Sequence, residues 1–163
     1  MTKILKQITS FILPVTVLVI VPLLIEKNIN VRFTFISITG IVLICTGLYV
    51  MLLTISTFIR IGKGTLAPWS PTKKLVIGGM YAYVRNPMIM GVLTILIGES
   101  LLLTSTNIFI WAVIFFIINN IFFLLYEEPN LEKKFGEEYR EYKRNVPRWI
   151  PRLTPFKPGS KSS

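Results

Sequence analysis

Gly79-Met80-Tyr81-Ala82-Tyr83-Val84-Arg85-Asn86-Pro87-Met88-Ile89-Met90-Gly91 divides the chain into two strongly apolar halves. It sets an arginine, an asparagine and a proline at the mouth of an apolar run. A polar knot at such a boundary must reach water or meet a partner, because burying unpaired polar groups is costly. Four apolar runs surround it: Ile8–Ile25, Phe35–Ile59, Met88–Leu103 and Ile108–Tyr126. Only the third contains a charge, Glu99.

The chain has 163 residues, 52% of them hydrophobic, and a mean hydropathy of +0.62. That is too apolar for a soluble domain of this size. The expected fold is an all-α integral membrane protein with about four transmembrane helices. The third and fourth form a hairpin about the short turn Thr104–Asn107, and a cytoplasmic amphipathic helix follows. Pro14 and Pro22 are expected to kink the first helix. Its basic start also fits a signal peptide, but no small-residue cleavage site follows, which favours an uncleaved helix. In the second run Ser37, Gly40 and Gly47 recur on roughly one face, where small side chains let another helix approach.

The net charge is +10. Its Lys and Arg flank the apolar runs, which argues for membrane headgroups rather than nucleic acid. The N-terminus, the 60–85 loop and the tail are basic. The positive-inside rule therefore puts both termini in the cytoplasm. Trp69 in that loop is an expected interfacial anchor. The only cysteine is Cys45 and there is no histidine, so no disulfide within the chain and no zinc site of the usual ligands is expected.

The tail opens with Glu127-Glu128-Pro129, whose proline suits the first turn of a helix. Leu131, Phe135, Tyr139, Tyr142 and Val146 make one apolar stripe, opposite Glu132, Lys133, Glu137, Arg140, Glu141 and Arg144. One amphipathic helix is expected, ended by Pro147, with Arg148-Trp149-Ile150-Pro151 lying against the interface. The chain thus reads as residues 1–59 (two helices), 60–152 (the core) and a disordered tail, 153–163. Adjacent Asn119 and Asn120 point to different helix sides, so one of them should meet a protein partner.

The hairpin brings Tyr81, Tyr83, Arg85, Asn86 and Pro87 to the level of Glu127 and Glu128. Carboxylates can hold a ribose diol or an α-amino group. Arg85 and nearby amides can hold a carboxylate, and Leu75, Val76 and the tyrosines can sandwich a base. A plainer reading stands beside this one. Arg85 can snorkel, and Glu127 and Glu128 can cap the tail helix and pair with Lys133 or Arg140.

Leu75-Val76-x-x-Gly79-x-Tyr81-x-x-x-Arg85-Asn86-Pro87-x-x-x-Gly91 resembles the first signature of the isoprenylcysteine carboxyl methyltransferase family. Glu127-Glu128-x-x-Leu131-x-x-x-Phe135-Gly136-x-x-Tyr139-x-x-Tyr142-x-x-x-Val146-Pro147-Arg148-x-x-Pro151 resembles its second, and phospholipid methyltransferases share the architecture. The resemblance implies an enzyme that uses S-adenosyl-L-methionine to methylate a lipid-like or prenylated acceptor at the cytoplasmic face. By position it implies that Lys73, Lys74, Leu75, Val76, Tyr81, Arg85, Asn86, Pro87, Met88, Ile89, Glu127 and Glu128 bind the cofactor. It gives no residue a catalytic role and sets no oligomeric state. The chain departs from the family pattern at Asn86 (usually histidine), Ile89 (usually tyrosine) and Phe123 (arginine in some members), which favours an apolar acceptor other than a prenylcysteine carboxylate. Some membrane sterol reductases have a related tail, so an NADPH-dependent reductase is the second reading. A non-enzymatic membrane protein is the third.

Overall fold

The computed structural model describes residues 12–27, 31, 34–62 and 74–158. These are helical and connecting segments, with no strand among the described residues. Helix α1 is Ile12–Ile25, α2 is Phe35–Gly62, α3 is Pro87–Leu102, α4 is Thr106–Phe135 and α5 is Glu137–Asn145. α2 and α4 are long and apolar enough to cross a membrane; α1 and α3 are shorter apolar helices.

α3 is the centre of the bundle, burying Val92, Ile95, Leu96 and Ser100. Val17 of α1 joins Val92 and Leu96 of α3 and Ala112 and Phe115 of α4 in one apolar cluster. α2 lies antiparallel against the other side of α3, and the small residues singled out in the sequence make the contact. A Cβ added at Gly40 would lie 2.7 Å from the Gly98 carbonyl oxygen, and one at Gly47 2.7 Å from that of Gly91. No larger residue allows backbones so near each other. The α3–α4 turn is closed by Ser105, whose hydroxyl accepts from the Ile108 amide at 3.4 Å and donates to Glu26 at 2.6 Å.

Two helices widen into π turns, at Thr16–Ile20 and at Phe123–Glu127. Each ends two residues before a proline, directly ahead of Val21-Pro22 and Glu128-Pro129. A proline ring has no N–H and clashes with the carbonyl four residues back, and a wider turn accommodates it. In α1 the Val21 amide goes to the Thr16 carbonyl. Val17 is then without a backbone donor, and the Trp111 indole N–H fills the gap at 3.2 Å. This locates the distortion at Pro22.

The tail differs from the sequence expectation. α4 does not stop before Glu127 but passes through its π turn to Phe135. The break comes later, at Gly136, whose φ of +56° is a conformation that L side chains rarely adopt. The apolar stripe survives the break: Tyr139, Tyr142 and Val146 are buried, with Leu131 and Phe135 packed against them. Beyond α5 the chain turns back as a strap. The Arg85 amide donates to Pro147 at 3.0 Å, the Arg152 amide to Tyr83 at 2.9 Å and the Phe156 amide to Ala82 at 2.9 Å. Phe156 is buried against Tyr142 and Val146.

Candidate functional site

The polar site forms where the start of α3, the lower tail of α4 and the strap converge. Pro87 starts α3, and Asn86 occupies the preceding position without a side-chain cap bond. Arg85, one residue earlier, is pinned through its own amide by the strap. Its guanidinium donates from Nη1 to Glu128 Oε1 at 2.9 Å. The two sequence clusters therefore meet, as the hairpin requires.

Glu128 is buried, with a side-chain exposure of 7%, and three cations surround it. Arg148 donates from Nη2 at 2.7 Å and Nε at 2.8 Å, and Lys143 Nζ lies 3.2 Å from Oε2. A lone buried carboxylate would cost several kcal/mol; close pairing offsets this. Arg148 also donates to Asn120 Oδ1 at 3.1 Å, which accepts from the Trp149 indole at 3.2 Å. Asn120 is thus the amide that meets a partner, while Asn119 bonds back to Phe115 within its own helix.

The pairing with Lys133 or Arg140 considered from the sequence does not form. Arg140 bonds Glu132 and Glu137, and Arg144 bonds Glu137. The first of these crosses the Gly136 break, which a single straight helix would not permit.

Glu127 is different. No ion pair reaches it from the described residues. It faces Tyr81: burial, and after it the Glu127 carboxylate, hold the Tyr81 hydroxyl well above its ordinary range, so the phenol stays protonated as a donor. The Tyr81 carbonyl is fixed by the Tyr142 hydroxyl at 2.7 Å, and its ring lies against Phe58 at 6.4 Å. Arg85 Nε is buried with no hydrogen-bond partner. Among the described residues, then, Arg85 Nε has no hydrogen-bond partner, Asn86 makes no cap bond, and Glu127 beside Tyr81 makes no ion pair.

The other expected residues divide. Pro87 is fully buried, fixing the turn. Leu75 packs against the Tyr139–Tyr142–Val146–Phe156 cluster, and Val76 beside it is buried. Ile89 turns toward the apolar core of Val17, Val92 and Phe115, away from the polar groups. Met88 is half-buried at the first turn of α3 and Lys74 is exposed. Lys73 and Trp69 lie outside the described residues. Phe123 is buried, with its ring 6.1 Å from that of Trp149. The sequence reading missed Lys143 and Arg148 as partners of Glu128. Arg148 stood in the second signature, but no local spacing links it to a residue twenty positions earlier.

A family model for phospholipid methyltransferases matches residues 35–138. An uncharacterized protein of Haemophilus influenzae is 40% identical over 63 residues, 39% of this chain and 100% of that protein. A protein-S-isoprenylcysteine O-methyltransferase of Schizosaccharomyces pombe is 35% identical over 80 residues, 47% of this chain and 33% of that enzyme. This chain therefore spans about a third of the fission-yeast protein's length. No solved structure matches. The matched region carries the Arg85-Asn86-Pro87 knot and the Glu127-Glu128 pair, and the chain belongs to the phospholipid methyltransferase family of membrane methyltransferases.

Proposed function

We propose that this protein transfers a methyl group from S-adenosyl-L-methionine to a lipid-like acceptor at the cytoplasmic boundary of the membrane. The observation that carries the reading is the junction of Arg85, Asn86, Tyr81 and Glu127, where polar groups converge beside a fully paired Glu128. The donor set fits this cofactor. Arg85 Nε and the Asn86 amide suit its carboxylate, and the Glu127 carboxylate suits a ribose diol or an ammonium.

Held by Arg85, Asn86 and Glu127, the cofactor would supply an electrophilic methyl group on a sulfonium, whose leaving group is a neutral thioether. The protein's part is to position and to exclude water. Arg85 is held by the strap amide bond and by Glu128, so its free edge is preset. Glu128 serves as the anchor of that arrangement, and Glu127 is the carboxylate free to bind. Leu75 and Val76 bear on the tail cluster, and their place is to brace the wall on which Tyr81 stands.

The acceptor's path is lateral. α4 presents exposed Ile121, Leu124, Leu125 and Tyr126 just before Glu127, which suits an apolar substrate arriving from lipid. With Phe123 buried against Trp149, no cation stands at that position for an acceptor carboxylate. The same reading has four crossings and both termini in the cytoplasm.

Calorimetry on the purified protein tests the core of the proposal. S-adenosylhomocysteine should bind, and Glu127→Gln should abolish the binding. Binding of NADPH in its place would sink the reading and favour the reductase. Transfer of radiolabelled methyl into a lipid extract identifies the acceptor class. In a Cys45→Ser background, Asn107→Cys should react with an impermeant thiol reagent only from outside.

A further inference from the structure

The strap after α5 carries two large apolar side chains in the open: Ile150 is 77% and Leu153 100% exposed. The chain spends backbone hydrogen bonds at Arg152 and Phe156 to hold them there. Their level in the fold is set by Trp149. Its ring packs on Phe116 at 5.1 Å and its indole reaches Asn120. Asn120 lies about 10 Å down the α4 axis from Glu127, at a 1.5 Å rise per residue. The same stretch of α4 exposes Ile117, Ile118, Ile121 and Leu124. Ile150, next to Trp149, therefore stands beside the apolar belt of the candidate span, and Leu153, next to the Arg152 amide that bonds Tyr83, stands at its polar edge. The charge around them is one-sided: from Arg148 onward the sequence has four cations and no acid. Arg148 is consumed by Glu128 and Asn120, but no acid pairs with Arg152 or Lys157 among the described residues. A second copy of this chain would have to bury those cations; phosphate headgroups complement them.

We propose that the strap Arg148–Lys157 docks onto an anionic leaflet of the membrane that holds the helices, with Ile150 and Leu153 in the acyl–headgroup boundary and Arg152 and Lys157 on lipid phosphates. The strap lies outside the region that the family model matches, and the proposal does not rest on the methyl-transfer reading.

The test uses the full chain with Cys45→Ser, labelled with an environment-sensitive fluorophore at Leu153→Cys, in vesicles of phosphatidylglycerol and phosphatidylcholine. Ile150→Cys gives the same readout should the first variant not fold, and Glu138→Cys on the exposed side of α5 is the reference. Brominated acyl chains should quench the label at Leu153→Cys and aqueous iodide should not; the reference label should show the reverse. Vesicles of phosphatidylcholine alone, or Arg152→Gln with Lys157→Gln, should raise iodide quenching severalfold. Iodide quenching equal to the reference in the anionic vesicles overturns the proposal. So does protection from both quenchers, which means that protein covers the patch. Indifference to lipid charge overturns it as well.

Discussion

Gly40 and Gly98 face each other across α2 and α3 so closely that a Cβ on either would lie 2.7 Å from the other's carbonyl oxygen. The opposing atoms are backbone, which cannot swing aside, so any side chain at these positions must separate the helices. Gly98→Val should lower stability by about 1–3 kcal/mol, the usual range for overpacking. Gly40→Val should behave alike, and the double variant should cost less than the sum, because both lesions push apart one contact. Thermal melts in detergent measure all three.

The adjacent acids Glu127 and Glu128 should separate in their effects. Glu128→Ala leaves Arg85 and Arg148 buried without their anion, with side-chain exposures of 12% and 17%. Removing one partner of such a network costs about 3–5 kcal/mol. Glu127→Gln removes no ion pair with a described residue, and should leave the melting temperature nearly unchanged while losing S-adenosylhomocysteine binding. Equal destabilisation by both would mean that Glu127 is structural.

The Trp111 indole stands in for an amide that Pro22 lacks. Trp111→Phe should cost about 1–3 kcal/mol for the orphaned Val17 carbonyl, in addition to lost packing. Pro22→Ala restores a backbone donor within reach of that carbonyl. In the Pro22→Ala background, Trp111→Phe should therefore cost roughly 1 kcal/mol less. Strict additivity in the melts would show that the hydrogen bond is incidental.

Tyr139 gives an alkaline signature. Burial, and after it the Glu128 carboxylate, push its hydroxyl from 10.0 up to about 12. The folded state holds this proton more tightly than the unfolded state. The associated stability is complete below pH 10 and is lost as the pH rises toward 12. Tyr139→Phe should flatten that part of the melting-temperature profile and leave the neutral range without a pH slope from this source.

Much of the fold was legible because membrane-type constraints act locally. Unbroken apolar runs located the helices, and the short Thr104–Asn107 stretch gave the hairpin. The small residues of α2 found glycines on α3 at matching spacing, antiparallel. The tail stripe was also legible, since burial follows helical period even across a broken helix. The break itself was not. Gly136 looked like one residue in a longer helix, and Pro129 looked like a start, whereas the π turn lets α4 run past it. Nor could spacing rank the two glutamates. The difference between them lies in partners from Lys143 and Arg148, which meet Glu128 only when the strap folds back.

The strap's three backbone hydrogen bonds also impose an order in time. Residues leave the ribosome from the N-terminus, so α3 and α4 can enter a membrane while Arg148 and Phe156 are still unmade. Through that interval Glu128 lacks Arg148, and Tyr83 and Ala82 lack the amide donors of Arg152 and Phe156. The surroundings of Arg85 and Glu128 are therefore completed only once the strap beyond α5 has been made. A chain halted at α5 can have its helices inserted yet leave Arg85 without the bond to Pro147, giving the cell an inserted but unassembled protein.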